Sequence, residues 1–310
     1  MPQINPLTAL LERHPFAVLD GALATELEAR GCSLADNLWS AKVLMENPQR
    51  IRDVHLDYFR AGAQIAITAS YQATPAGFAA RGLTEAQSKA LIEQSVKLAK
   101  EASEIYRAEN PDAGTLLVAG SVGPYGAYLA DGSEYRGDYV RSHEAFQLFH
   151  RPRIEALLNA GTDLLACETL PSFAEIKALA DLLAEYPEAQ AWLSFTLRDD
   201  KHLSDGTPLA LVVDALSACP QIVALGINCI ALSKTTAALK HLQSLSALPL
   251  VVYPNSGETY DAVTKSWHAH GDACASLAAY LPQWLEAGAR LIGGCCRTTP
   301  RDIAALSERR

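Results

Sequence analysis

The stretch Ala287-Gly288-Ala289-Arg290-Leu291-Ile292-Gly293-Gly294-Cys295-Cys296-Arg297-Thr298-Thr299-Pro300 holds one whole structural unit. Gly288 sits where a helix C-cap takes a left-handed residue. Leu291–Gly294 reads as a short apolar strand buried on both faces. Thr299-Pro300 then marks a helix start, an N-cap residue followed by proline in the first turn. Helix end, buried strand, loop and helix start make one β/α repeat.

Outward from this unit the same punctuation recurs. Ala61-Gly62-Ala63 and Ala160-Gly161-Thr162 also place a glycine just before an apolar run. Strands are predicted at Phe16–Asp20, Ile65–Ala69, Leu116–Gly120, Leu164–Glu168, Ala191–Thr196, Val223–Asn228, Leu250–Pro254 and Leu291–Gly294. Asn47-Pro48 and Thr207-Pro208 repeat the N-cap and proline pattern, and Thr84 with Gln87 and Ser172 with Glu175 have capping-box spacing. Pro152 and Pro282 fall inside helical patterns and predict kinks or breaks. Strands each followed by a helix predict an α/β chain, a single-domain (β/α)8 TIM barrel over residues 1–310. A doubly wound sheet is the alternative, but no glycine-rich phosphate fingerprint follows the first strand. The segment Tyr125–Arg141, rich in glycine, tyrosine and charge, predicts a loop over the barrel mouth.

The chain has 310 residues, 49% of them hydrophobic, enough for one large core. Its formal charge of −9 gives nucleic-acid binding no electrostatic support. No apolar run is long enough to span a membrane, and the N-terminus has neither the basic nor the apolar region of a signal peptide. An odd number of cysteines, 7, fits a reducing compartment better than a disulfide framework. The cytoplasm is therefore the expected location.

Barrel chemistry belongs at the C-terminal ends of the strands. Asp20, Ser70, Ser121, Glu168, Thr196, Cys229, Asn255 and Cys295-Cys296 occupy those ends. Cys229 ends the sixth predicted strand and Cys295-Cys296 the eighth, so their sulfurs can converge. Adjacent strand residues face opposite sides, so both Cys295 and Cys296 reach one ion only if the chain leaves strand geometry. Gly293-Gly294 eases that departure. Three thiolates would leave one tetrahedral position open, as in catalytic zinc sites. A strained vicinal disulfide stays open as the other reading of the pair. Cys32, Cys167, Cys219 and Cys274 read as small core hydrophobes, with Cys167 facing away from the mouth. His268 and His270 read as solvated or packing residues of a long loop. Glu168 and Asp20 suit a substrate ammonium group, while a helix cap or arginine pair is the structural alternative for each.

These residues carry a resemblance to the homocysteine S-methyltransferases. It rests on Asp20-Gly21, Cys167-Glu168-Thr169, Gly226-Ile227-Asn228-Cys229 and Gly293-Gly294-Cys295-Cys296, and covers nearly the whole chain. The resemblance implies Zn2+ on Cys229, Cys295 and Cys296. It implies Glu168 on the homocysteine ammonium with Asp20 in support, and Asn228 orienting the site. The stretches containing Ser70 and Tyr71 and running Gly120–Tyr128 look like the branch using S-methylmethionine or S-adenosylmethionine, giving methionine. Ser70, Tyr71 and Asn228 are therefore expected near substrate, and Tyr71, Tyr125 and Tyr128 offer aromatic faces to an onium donor. Nothing resembles the folate and cobalamin domains of the large methionine synthases. Zinc hydrolysis is disfavoured, because three anionic ligands weaken the metal as a Lewis acid. A zinc or redox buffer is the non-enzymatic alternative. Oligomeric state is open at this level.

Overall fold

A computed structural model describes residues 5–33, 39–261, 266–269 and 276–310. A parallel 8-stranded sheet forms the centre. Its strands are β1 (Ala17–Val18), β2 (Ile65–Ile67), β3 (Leu117–Val122), β4 (Leu164–Leu170), β5 (Ala191–Phe195), β6 (Ile222–Asn228), β7 (Leu250–Tyr253) and β8 (Ala289–Ile292). From β2 to β8 each strand pairs with the next in sequence, and β8 returns to pair with β1. The seam between β1 and β2 is closed by a single Leu19–Ile65 bridge. The Asp20 N–H donates to Ile65 O at 3.0 Å, and the Gln64 N–H to Val18 O at 2.7 Å. The expected (β/α)8 barrel is the observed fold, with all eight strands within a few residues of the predicted positions.

Strand alternation explains why these strands read as unbroken apolar runs. Ala17, Ile65, Ala119, Ala166, Trp192 and Leu291 fill the barrel interior. Their neighbours Val18, Ala66, Val118, Leu165 and Leu193 pack outward beneath the helices. Both faces lose water, so both need apolar side chains. A helix absent from the sequence reading, Pro6–Leu11, is capped by Asn5 and plugs one end of the barrel. Its Leu7 and Leu10 join the interior cluster.

The helix punctuation is largely observed. Gly62, Gly161 and Gly288 have φ of +96°, +76° and +86°. Behind the first two, Ala63 N–H reaches Tyr58 O at 3.0 Å and Thr162 N–H reaches Leu157 O at 3.2 Å, closing the helix ends. Thr84 and Gln87 form the expected capping box. Ser172 Oγ accepts the Glu175 N–H at 3.4 Å, but the Glu175 side chain turns into the protein instead of back to the cap. Helices His143–Asn159 and Leu277–Glu286 run unbroken through Pro152 and Pro282, against the expected breaks. Packing on the barrel outweighs the one hydrogen bond each proline removes. The Thr207-Pro208 start is shifted by one, with Pro208 itself at the N-cap of Leu209–Leu216.

Beyond β3 the predicted loop is partly ordered, with a helix at Tyr125–Leu129 and a 3-10 turn at Ser133–Tyr135. After β7 a hairpin pairs Glu258–Asp261 with Ser266–Ala269, so His268 lies on a strand. His270 and Cys274 lie outside the described residues. No helix of the described residues is long and apolar enough to cross a membrane.

Candidate metal centre

Cys229 follows the last residue of β6 and turns out of the strand with φ +53°. Its N–H donates to Tyr253 O at 3.1 Å, tying that turn to β7. After β8 the chain leaves strand geometry at Gly293, as the pairing of two adjacent cysteines requires. Neither Gly293 nor Gly294 has positive φ, so the glycines serve close approach rather than backbone freedom. A Cβ on Gly293 would stand 2.5 Å from Leu19 Cβ, and one on Gly294 2.4 Å from Thr298 Oγ1. The loop is pinned by Cys295 N–H to Pro254 O (2.7 Å), Ser256 N–H to Cys296 O (3.1 Å) and Thr298 Oγ1 to Cys295 O (2.6 Å).

The sulfurs of Cys229, Cys295 and Cys296 lie within 4.8 Å of one another. Cys229 Sγ is 3.6 Å from Cys296 Sγ and 2.7 Å from Cys295 Sγ. Tetrahedral thiolate bonds of about 2.3 Å place sulfurs roughly 3.8 Å apart. The first distance fits, and the second is short by about 1 Å. Hydrogen bonds from Cys229 and Cys295 hold the Cys296 thiol well below its ordinary pKa. Its own hydrogen bonds with Cys229 and then Cys296 push Cys295 up. Three ionisable sulfurs at this spacing suit a cation better than three protons.

Glu168 stands at the inward end of β4, 7% exposed. Ser121 Oγ donates to its Oε1 at 2.5 Å, and the Tyr253 hydroxyl also bonds the carboxyl. Burial pushes the carboxyl up to about 7, against those two hydrogen bonds. Asp20, at the β1–β2 seam, accepts the Ile67 N–H at 2.8 Å. Burial raises its carboxyl well above the usual range and Glu168 adds to the rise. Neither carboxylate is ion-paired with an arginine among the described residues. Cys167, next to Glu168, points into the outer core as expected. Cys32 and Cys219 pack half-buried against that core.

A homocysteine S-methyltransferase family model matches residues 17–310. The chain belongs to the homocysteine S-methyltransferase family. It is 76% identical over 309 residues to the homocysteine S-methyltransferase of Escherichia coli, covering 100% of both chains. Over 311 residues it is 52% identical to homocysteine S-methyltransferase YbgG of Bacillus subtilis, covering 98% of this chain and 97% of the other. Among solved structures, the metallated form of the E. coli homocysteine methyltransferase MmuM superposes with a TM-score of 0.91. That match has 71% identity and covers 99% of this chain and 100% of the other. The homocysteine S-methyltransferase family is thus shown over the whole barrel, and a metal is known at least in that relative.

Within this family member the remaining expected residues take distinct places. Asn228 ends β6 and is engaged by protein. Its Oδ1 accepts Thr169 N–H (2.8 Å) and Ser194 Oγ (2.7 Å), and its Nδ2 donates to Thr169 Oγ1 (2.8 Å). It thereby holds Thr169 at φ +61°, the turn that follows Glu168. Ser70 Oγ donates to Ser121 O at 2.7 Å, behind the residue that bonds Glu168. Tyr71 lies beside the site, its hydroxyl bonded to Thr169 and its ring in electrostatic reach of Cys229 and Glu168. Tyr125 and Tyr128 belong to a separate aromatic cluster, tilted and edge-on against Phe149, with Arg141 4.4 Å over the Tyr125 ring. Phe146 and Phe149 of helix His143–Asn159 complete that cluster.

Three further residues near the metal centre were not singled out from the sequence. Tyr135 brings its hydroxyl to 3.8 Å from Cys229 Sγ. Glu134 beside it lies in charge contact with Cys229, its carboxyl pushed up to about 7 by burial first. Tyr253 bonds Ser194 Oγ at 2.7 Å and Trp192 Nε1 at 3.1 Å, which aims its hydroxyl at Glu168. Strand parity places Tyr253 on the inner face, and that is the one signal that was there to be read.

A buried network carries the covering segment. Glu175 accepts the Tyr125 N–H and His150 Nε2, each at 2.6 Å, and also the Tyr139 hydroxyl. His150 Nδ1 faces the Arg153 Nη2 donor at 3.0 Å, so the ring bridges Arg153 and Glu175, and burial lowers the pKa of the histidine. Arg153 donates to the carbonyls of Tyr71 (2.7 Å) and Gly123 (2.6 Å).

Proposed function

We propose that this methyltransferase moves a methyl group from a sulfonium donor to the sulfur of homocysteine, giving methionine. S-Methylmethionine is the preferred donor and S-adenosylmethionine a second one. Residues 1–310 act as one homocysteine-binding barrel domain, with Zn2+ held by Cys229, Cys295 and Cys296. The carrying observation is the convergence of three cysteine sulfurs at the strand ends that also present Glu168. When bound, Zn2+ supplies a Lewis acid that lets a substrate thiol be held deprotonated at neutral pH.

The chain's own residues do the rest by positioning. Glu168 receives the homocysteine ammonium, whose positive charge offsets the burial that raises its carboxyl. Ser121 and Tyr253 hold that carboxylate in one orientation, and Asn228 and Ser70 fix the backbone on either side. Asp20 adds negative charge at the seam. Tyr71 walls the site with an aromatic face, which stabilises an onium group by up to ~2 kcal/mol when it is desolvated. The leaving group is a neutral thioether and takes no proton, so no general acid is required. Catalysis rests on holding the acceptor sulfur in line with the methyl group.

The test offers homocysteine with S-methylmethionine, S-adenosylmethionine, betaine and methyltetrahydrofolate, each at equal concentration. Methionine should form fastest with S-methylmethionine, more slowly with S-adenosylmethionine, and not with the other two. Betaine outrunning both sulfonium compounds would overturn the donor assignment.

A further inference from the structure

We infer that Glu134 is the donor-specificity residue of this site, its carboxylate receiving the α-ammonium group of a cationic amino-acid methyl donor. The inference rests on the reaction proposed above. That reaction brings together two amino acids, and each carries an ammonium group that must be desolvated on entry. Glu168, at the strand ends, serves one of them. Asp20 sits at the barrel seam with its carboxylate on the Ile67 N–H. The segment that covers the mouth supplies the other carboxylate, Glu134.

The backbone of Glu134 is held in place. Its carbonyl accepts Thr196 Oγ1 at 2.9 Å, and Gly126 packs so closely that a Cβ there would stand 2.6 Å from Glu134 N. The adjacent Tyr135 hydroxyl stands 3.8 Å from Cys229 Sγ, which sets this turn beside the metal centre, and the Glu134 carboxyl lies within electrostatic range of Cys229. Its Oε2 is buried without a hydrogen-bond partner. A buried acceptor left unpaired is unfavourable, and such an atom in a binding site marks where a ligand donor belongs. The nearby Arg136 is directed elsewhere, to Asp138 at 2.8 Å, the Asp131 carbonyl at 2.9 Å and Ser133 Oγ at 3.2 Å. An ammonium offers N–H donors to the unpaired oxygen. A sulfonium centre offers charge alone and no donor. The unpaired acceptor therefore selects the amino-acid end of the donor.

The experiment compares wild type, E134Q and E134D, all metal-loaded, by methionine formation and by calorimetric titration with S-methylmethionine. E134Q should raise KM and Kd for S-methylmethionine about tenfold or more, with KM for homocysteine and metal content within about twofold of wild type. E134D should recover part of the donor affinity. Unchanged S-methylmethionine affinity in E134Q, or an equal rise in KM for homocysteine, overturns the assignment. A wild-type enzyme that takes no methyl group from any sulfonium donor refutes the reaction itself, a separate result.

Discussion

The two ends of the barrel are built from the same strands and behave as opposites. One end is closed by Leu7 and Leu10 of the N-terminal helix, both 1% exposed and set among Ala17, Leu117 and Leu291. The other end gathers three cysteines, two buried carboxyls and a hydroxyl network. The apolar end needs only volume and dryness. The polar end places groups that oppose folding, with Glu168 and Asp20 both raised by burial. Stability and chemistry are thus separated along the barrel axis, and substitutions at the two ends should separate them experimentally.

The largest effect is expected at the polar end. Cys296→Ala should lose bound metal and methyl transfer together while keeping the circular dichroism of the folded barrel. Cys229→Ala should do the same. Metal analysis of the purified variants decides it, and full occupancy in both would remove the metal centre from these cysteines.

Glu168→Gln comes next. Removing one partner of a desolvated charge pair costs ~2–5 kcal/mol, so kcat/KM for homocysteine should fall steeply while metal stays bound. The same variant carries a pH signature. Burial raises the Glu168 carboxyl to about 7 from its ordinary 4.5. The folded protein therefore holds this proton more tightly than the unfolded chain. That stabilisation is fully present below pH 4.5 and is lost as pH rises through about 7. Relative to the variant, the wild type should lose Tm across that window. Parallel Tm profiles would show a carboxyl titrating normally.

At the apolar end, Leu10→Ala should cost about 2–5 kcal/mol of stability through the cavity it leaves. Its kcat and metal content should match wild type below the melting transition. A fall in kcat at full folding would break the separation of the two ends. The smallest effect is expected for Tyr135→Phe, which removes a hydroxyl 3.8 Å from Cys229 Sγ at a residue 42% exposed. One such contact is worth about 1 kcal/mol or less, so KM values should shift by no more than about fivefold. Loss of activity as complete as in Cys296→Ala would make Tyr135 part of the reacting centre.

How legible these ends were differs in the same way. The strands, the helix-ending glycines and the cysteines at the ends of β6 and β8 follow local rules of period, capping and spacing. The departure from strand geometry at Gly293-Gly294 was also readable, though for another reason: the glycines make room for Leu19 and Thr298. Tyr125 and Tyr128 read as mouth residues because their segment covers the mouth. Phe146 and Phe149 of helix His143–Asn159 draw their rings into a separate aromatic cluster.

By itself, the sequence determined the repeat of strand and helix, because each element answers to its own few residues. It also determined which ligand type gathers at the mouth, because cysteine at two strand ends offers sulfur. Only the closed tertiary structure decided that Leu7 and Leu10 plug the floor, that Tyr253 bonds Glu168, and that Glu134 and Tyr135 overhang the cysteines. Those contacts join residues far apart in the chain. Their geometry exists only once the β1–β2 seam is closed and the covering segment is anchored on Glu175.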